Sequence, residues 1–330
     1  MKFIEKHNIF SFFLFTYLLS WISWIAAYML FPDNTLFQMP LMRIGAFSPA
    51  LISILFCSVK ASAHSDPAKK RGMTFLMVWI IACIHFYFYL TDIEQIESGV
   101  TLIIITVTTS LLPAFVLSNV FSKNKGIREH LSTIFLPTGK WIWHLIAFLI
   151  IPFILGLDIL INDFLGNQTG NAEYSMHNHT ILEFIWIFIL IIVVQSLQAG
   201  GLSEEPGWRG YAQKRLQKKY PPLFAGIIIG LCWGIWHFPV YIPQLSNLSI
   251  WAILYGCLQI GLMFTWIYNR TQGSLLAVII LHASWNTFTK FIPKTYIFDI
   301  IIGCILVIII FTDKMWLPTR QKEKKWISGS

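Results

Sequence analysis

Apolar runs of about 20 residues, the length a helix needs to cross a bilayer, recur along the whole of this 330-residue chain. They fall at roughly 8–31, 43–59, 73–90, 99–121, 141–161, 181–200, 223–242, 250–268, 274–290 and 295–312. The second is short, and the last two are parted only by Phe291 to Lys294. In lipid the backbone must satisfy its own hydrogen bonds, and no alternating strand pattern competes with helix. The expected fold is therefore all-α, a polytopic integral membrane bundle of eight to ten transmembrane helices. Composition agrees: 56% of residues are hydrophobic and only 12% charged, far from the balance of a soluble domain. The first run is too long for a signal-peptide core and lacks a small-x-small cleavage site, so it is read as a span.

Charge fixes an orientation. With a cytoplasmic amino terminus and ten spans, the cytoplasmic segments are 1–7, 60–72, 122–140, 201–222, 269–273 and 313–330. They hold 21 of the chain's 24 lysines and arginines; Arg43, Lys290 and Lys294 are the exceptions. This is the positive-inside pattern, with both termini cytoplasmic. The net charge of +8 thus reflects topology, and a nucleic-acid partner is not expected. Short loops and the lack of a targeting tail point to a bacterial plasma membrane. The cysteines at 57, 83, 232, 257 and 304 are odd in number, dispersed and apolar in setting, which argues against disulfides or a thiolate metal site.

Four regions follow. Residues 1–162 read as scaffold helices, in which His85, His144 and Asp158 are expected to be satisfied by neighbouring helices. Residues 163–180 form an external polar loop whose Glu173, His177 and His179 have no register to fix a metal and read as solvated. Residues 181–312 carry the chemistry, and 313–330 form a basic cytoplasmic tail.

The chemistry concentrates in three places. Glu204 and Glu205 follow an unbroken apolar run, and Arg209 stands four residues after Glu205, the spacing of a helical ion pair. The bland reading makes 204–219 an interfacial amphipathic helix capped by Ser203, with Trp208, Tyr211 and Leu216 toward lipid and Lys214, Lys218 and Lys219 toward water. The second place is Trp233-x-x-x-His237, with Pro239 just after; the third is His282-x-x-x-Asn286, two polar side chains on one helical face. Each alone fits an interhelical hydrogen bond. Their accumulation in one half of an apolar chain strains that reading, since ionisable groups in spans are costly and usually functional.

The ordered set Glu204-Glu205-x-x-x-Arg209, Trp233-x-x-x-His237 and His282-x-x-x-Asn286 resembles the CAAX-protease and bacteriocin-processing family of intramembrane proteases (CPBP, or ABI), over roughly residues 181–312. Trp233 departs from that family's usual phenylalanine, and an altered pocket shape with intact chemistry is expected. The resemblance implies an endopeptidase acting near the cytoplasmic side on a membrane-associated or lipid-modified, CAAX-like protein or peptide. It implies that Glu204 with His237 activates water, that His282 and Asn286 form an oxyanion hole, and that Glu205 with Arg209 is a structural pair. The family is often called metalloprotease, and Glu204, His237 and His282 can in principle ligate a divalent metal such as Zn²⁺, although the HExxH pairing is absent.

Two alternatives remain at this level: a carrier relaying protons through buried Glu and His, and a non-catalytic scaffold such as a bacteriocin self-immunity protein. The carrier would show interrupted helices in both halves of the chain, whereas the charged residues crowd into one. Continuous helices also leave a geometric problem. They place His282 on the order of 12 Å and His237 roughly 20 Å into the membrane, with Glu204 near its surface.

Overall fold

The computed structural model describes residues 8–59, 68–136, 138–167, 180–198, 200–244 and 249–318. Among these, every regular element is helical. In chain order they are α1 (Asn8–Leu30), α2 (Thr35–Ser58), α3 (Ala68–Phe88), α4 (Val100–Thr109), α5 (Leu111–Ser118), α6 (Lys125–Leu131) and α7 (Trp141–Phe164). There follow α8 (Ile181–Leu197), α9 (Gly201–Glu205), α10 (Pro222–Trp236), α11 (Ile250–Arg270), α12 (Leu275–Phe291) and α13 (Tyr296–Thr312). Glu173, His177, His179 and the basic tail from residue 319 lie outside the described residues.

The bundle is the expected polytopic one, but the spans are uneven. Seven stretches among the described residues are long and apolar enough to cross a membrane: α1, α2, α3 with its following turn, α4 with α5, α7, the stretch 181–216, and α11. The other three expected spans are shorter helices, α10 with 15 residues and α12 and α13 with 17 each. The second span is longer than its apolar run: Asn34 caps it by accepting from the Phe37 N–H at 3.1 Å, and it continues through Pro40 and Pro49. Large apolar side chains such as Met29, Ile80, Leu160 and Val307 face outward, a surface suited to lipid and far beyond what water tolerates.

Close approach of α10 and α11 sets one wall of the site. Gly226, Gly230 and Gly234 recur every fourth residue, so they form one small-residue face. A Cβ on Gly230 would lie 2.9 Å from Leu258 Cα, and one on Gly261 2.9 Å from Gly230 Cα. Elsewhere buried polar groups find partners across helices. Asp158 accepts from Thr295 N–H at 2.9 Å, Thr295 Oγ1–H at 2.6 Å and Asn162 Nδ2 at 2.9 Å, and His144 Nε2 meets Ser274 Oγ at 3.1 Å. His85 differs: its Nε2 is buried with no hydrogen-bond partner.

The stretch after the glutamates is not an interfacial helix. Residues Pro206–Gln213 wind as a wide π-helix, and every one of them is buried. Trp208 lies inside the bundle, stacked on Phe13 at 5.9 Å and edge-on to Trp236 at 5.5 Å. Tyr211 and Leu216 are buried too. The periodicity was right and the neighbour was different: α1, α2 and α6 cover the apolar face that lipid was expected to cover. Gly207 permits this, since a Cβ there would come within 2.5 Å of the Pro49 backbone.

His130 on α6 props the π-helix from below, with Nε2 2.9 Å from Ser53 Oγ and its ring edge-on to Tyr211. Burial first, then the charges of Arg215 and Lys214, pull its pKa from 6.5 down to about 3. The folded protein therefore keeps His130 neutral where the unfolded chain takes up a proton. Its contribution to stability is complete above pH 6.5 and is lost as pH falls toward the folded value, by about 1.4 kcal/mol per pH unit. Unfolding followed between pH 7 and 4 should show this slope, and His130→Gln should flatten it.

Candidate active site

The problem of depth is solved by a break in the backbone. α8 ends at Leu197, and the chain turns at Gly200, whose φ of +121° is a conformation side-chain-bearing residues rarely adopt. Ser203 pins this turn, its hydroxyl accepting from Gly200 N–H and donating to Gly200 C=O, both at 3.0 Å. The new helix, α9, begins at Gly201, three residues before the start that a Ser203 cap would give. A Cβ on Gly200 would sit 2.8 Å from both His282 Nε2 and Asn286 Nδ2. The glycine is thus what allows the turn to close over those two side chains.

Glu205 is the central anchor. Its Oε1 accepts from Arg209 Nη1 at 3.1 Å and from His282 Nδ1 at 2.7 Å, with Glu205 and Arg209 side chains fully buried and His282 nearly so. The Arg209 guanidinium also lies 4.5 Å from the Phe264 ring centre and 5.3 Å from that of Trp233, the geometry of a cation on aromatic faces. Oε2 of Glu205 and Nε and Nη2 of Arg209 are buried without hydrogen-bond partners. The expected i, i+4 pair is present, and it reaches further than expected, into the His282 ring.

Glu204 and His237 are held by one residue. The Trp233 indole N–H donates to Glu204 Oε2 at 2.6 Å, and the Trp233 carbonyl accepts from His237 Nδ1 at 2.8 Å. The indole ring stands 5.1 Å from the His237 ring and 5.7 Å from the His282 ring. Phenylalanine could pack in this place but could not hold Glu204. A carbonyl only accepts, and so does the Glu205 carboxylate paired with Arg209, so both imidazoles carry their proton on Nδ1. When neutral, each ring then has its lone pair on Nε2. Asn286 donates from Nδ2 to Gln195 Oε1 at 3.1 Å.

Glu204, His237, His282 and Asn286 line one cavity of about 520 Å³, together with Gly200 and Gln195. Its remaining walls are mostly apolar, with Trp24, Trp236, Tyr241 and Trp285 among them, and carry the charged Arg43, Lys294 and Asp299. Such a space, apolar with a few convergent polar groups, is typical of a ligand site. The proposed metal set is not assembled. Among the described residues no three His, Cys, Asp or Glu side chains come together as a metal-binding group. The Trp233 ring packs against both imidazoles and its N–H occupies Glu204 Oε2.

Sequence reasoning missed three participants. Gln195 is the first polar residue after the apolar run 181–194, a signal that was legible. The Gly200-Gly201 pair marked the break. The indole N–H of Trp233 had no sequence signal, because only the fold brings it to Glu204.

Comparison with known proteins coincides with this geometry. A family model described as "Type II CAAX prenyl endopeptidase Rce1-like" matches residues 181–288, which contain Glu204, Glu205, Arg209, His237, His282 and Asn286. Over this segment the chain is similar to the Rce1-like family. A curated relative, "CAAX prenyl protease 2" of Methanococcus maripaludis, is 30% identical over 146 residues, 42% of this chain and 52% of the relative. The chain thus spans about half the length of the curated relative it matches. The Rce1-like segment begins with α8 and ends near the end of α12, so it comprises the helices that supply Gln195, Glu204, His237, His282 and Asn286 to the cavity and excludes α1 to α7.

Two substitutions test the build of the Rce1-like site. Gly200→Ala should displace His282 and Asn286 and lower any turnover about 100-fold, the scale of a 1 Å misplacement, and the strained φ should lower thermal stability with it. Arg209→Met leaves Glu205 buried with the His282 hydrogen bond but without its guanidinium partner and should cost about 3–5 kcal/mol in unfolding measurements. The double variant Glu205→Gln with Arg209→Met should recover part of that loss.

Proposed function

We propose that this protein is an intramembrane endopeptidase that hydrolyses a peptide bond in a membrane-associated or lipid-attached, CAAX-like protein or peptide. The observation that carries the reading is the convergence of Glu204, His237, His282 and Asn286 on one aromatic cavity, inside a segment of Rce1-like sequence. The curated relative's name, a prenyl protease, supports a lipidated substrate class, and the aromatic walls suit an apolar chain.

The chemistry follows from which atoms are engaged. Trp233 holds Oε2 of Glu204, which leaves Oε1 to take a proton. His237, with Nδ1 donating to a carbonyl, presents Nε2 as a second acceptor. A water between these two acceptors has both hydrogens held and a lone pair free for the scissile carbonyl carbon. Glu204 removes one proton as the water attacks, the general-base step. The tetrahedral intermediate carries an oxyanion that requires donors in a dry site. Asn286 supplies an amide N–H. His282 adds a second donor at Nε2 when it enters the cycle as the imidazolium, its extra proton staying on the ring throughout and its charge balanced by the Glu205 carboxylate at 2.7 Å. The proton on Glu204 then passes to the leaving amine, and the C–N bond breaks. No step runs through a metal, since the three nearest candidate ligands do not form a shell.

The test is cleavage of quenched membrane peptides by purified protein. Glu204→Gln should lower kcat by about 100- to 10,000-fold, the range for loss of a general base, with KM nearly unchanged. His282→Ala should be comparably impaired. Equal rates for wild type and both variants would overturn the mechanism.

A further inference from the structure

Two sets of contacts define the two ends of the bundle. At one end Asn124 Nδ2 donates to Ser58 C=O at 2.8 Å, Thr138 Oγ1 to Thr271 C=O at 2.7 Å, and Arg270 pairs with Asp313. At the other, Tyr28 OH donates to Val240 C=O at 3.0 Å, Trp186 Nε1 to Asp92 Oδ2 at 3.0 Å, and Thr295 N–H to Asp158 Oδ2 at 2.9 Å. The basic residues divide between these ends very unequally. Lys69, Lys125, Lys140, Lys218, Arg270 and Lys314 stand at the first, with most of the remaining lysines and arginines of the described chain. Arg43, Lys290 and Lys294 belong to the second half, where Asp33, Asp92, Glu94, Glu97 and Asp299 also lie.

The cavity belongs to the second end. From Glu204 and His282 at its floor it extends past Trp24, near the close of α1, and Val240 and Tyr241, just beyond α10. It reaches Ala252, in the first turn of α11, and Lys294, between α12 and α13. Glu204 and His282 are buried, whereas Tyr255 and Lys294 on the cavity wall are exposed. The lining includes no residue from the basic connections 122–140, 214–222 or 269–273.

We infer that the active-site cavity opens on the membrane face opposite the basic connections, so that the enzyme acts on a peptide presented from the outer, non-cytoplasmic side. The positive-inside rule places the first end in the cytoplasm, and the mouth then lies in the outer half of the bilayer. This departs from the expectation of cleavage near the cytoplasmic side, which the family resemblance implied. The nature of the substrate rests on the endopeptidase reading above; the direction of entry does not. An apolar segment anchored in the outer leaflet, such as a translocated peptide or a lipoprotein tail, has direct access to aromatic walls. A cytoplasmic tail would have to cross the bundle.

The experiment uses the full-length chain, freed of its native cysteines, in intact bacterial cells. Single cysteines are introduced as Asp33→Cys and Lys294→Cys at the mouth end and Lys140→Cys at the basic end, all at exposed positions. A membrane-impermeant maleimide should label the first two equally with and without permeabilisation, and Lys140→Cys only after permeabilisation. The reverse pattern overturns the inference, and so does labelling of both ends in intact cells, which would mean mixed orientation. Labelling reads orientation without catalysis. If it follows the expected pattern while purified protein cleaves no membrane peptide, the endopeptidase reading fails and the direction of the cavity stands.

Discussion

A single buried carboxylate organises this protein. Glu205 is fully enclosed, and a carboxylate removed from water is tolerable only with charged or hydrogen-bonding partners. It has two, Arg209 from the π-helix that follows and His282 from α12. The pair with Arg209 is local, four residues apart. The bond to His282 joins two distant helices and fixes which nitrogen of that ring faces the cavity. The unpartnered atoms of Glu205 and Arg209 show that charge complementarity and aromatic packing, more than complete hydrogen bonding, hold the arrangement.

From that anchor the other polar groups of the cavity are placed by backbone geometry. Gly200 turns the chain so that Glu204 faces inward, and the absence of its side chain leaves room for His282 and Asn286. Trp233 then serves both remaining groups, with its N–H on Glu204 and its carbonyl on His237. One wall of the cavity depends on glycine-mediated contact of α10 with α11. The scaffold helices α1 and α2 complete it, with Trp24, Met42 and Ala46 in the lining. They are thus part of the site's shape although they lie outside the Rce1-like segment.

Much of this was legible in the chain itself. Apolar runs gave the helical membrane bundle because lipid leaves the backbone few options, and the motif spacings picked out Glu204, His237, His282 and Asn286, which do share a cavity. The run at 223–242 overstated α10, which closes at Trp236, because hydropathy does not register where a helix stops inside protein, whereas α12 and α13 match their apolar runs to within a residue at each end. The amphipathic stretch after Glu205 was assigned to the interface because periodicity identifies an apolar face and is silent about what covers it. Trp208 and Tyr211 face other helices. The Trp233 bond to Glu204 and the tie from Glu205 to His282 depend on distances between elements far apart in sequence, which no local pattern carries.

The central claim is that Glu205 holds His282 with its proton on Nδ1 and its Nε2 toward the cavity. The most direct measurement is ¹⁵N NMR of the histidine rings in labelled full-length protein, with His282 assigned by substitution. The account predicts a protonated Nδ1 on His282, and a change in its resonance when Glu205 is replaced by Gln. A neutral ring protonated on Nε2 alone, with a signal indifferent to Glu205→Gln, would contradict it.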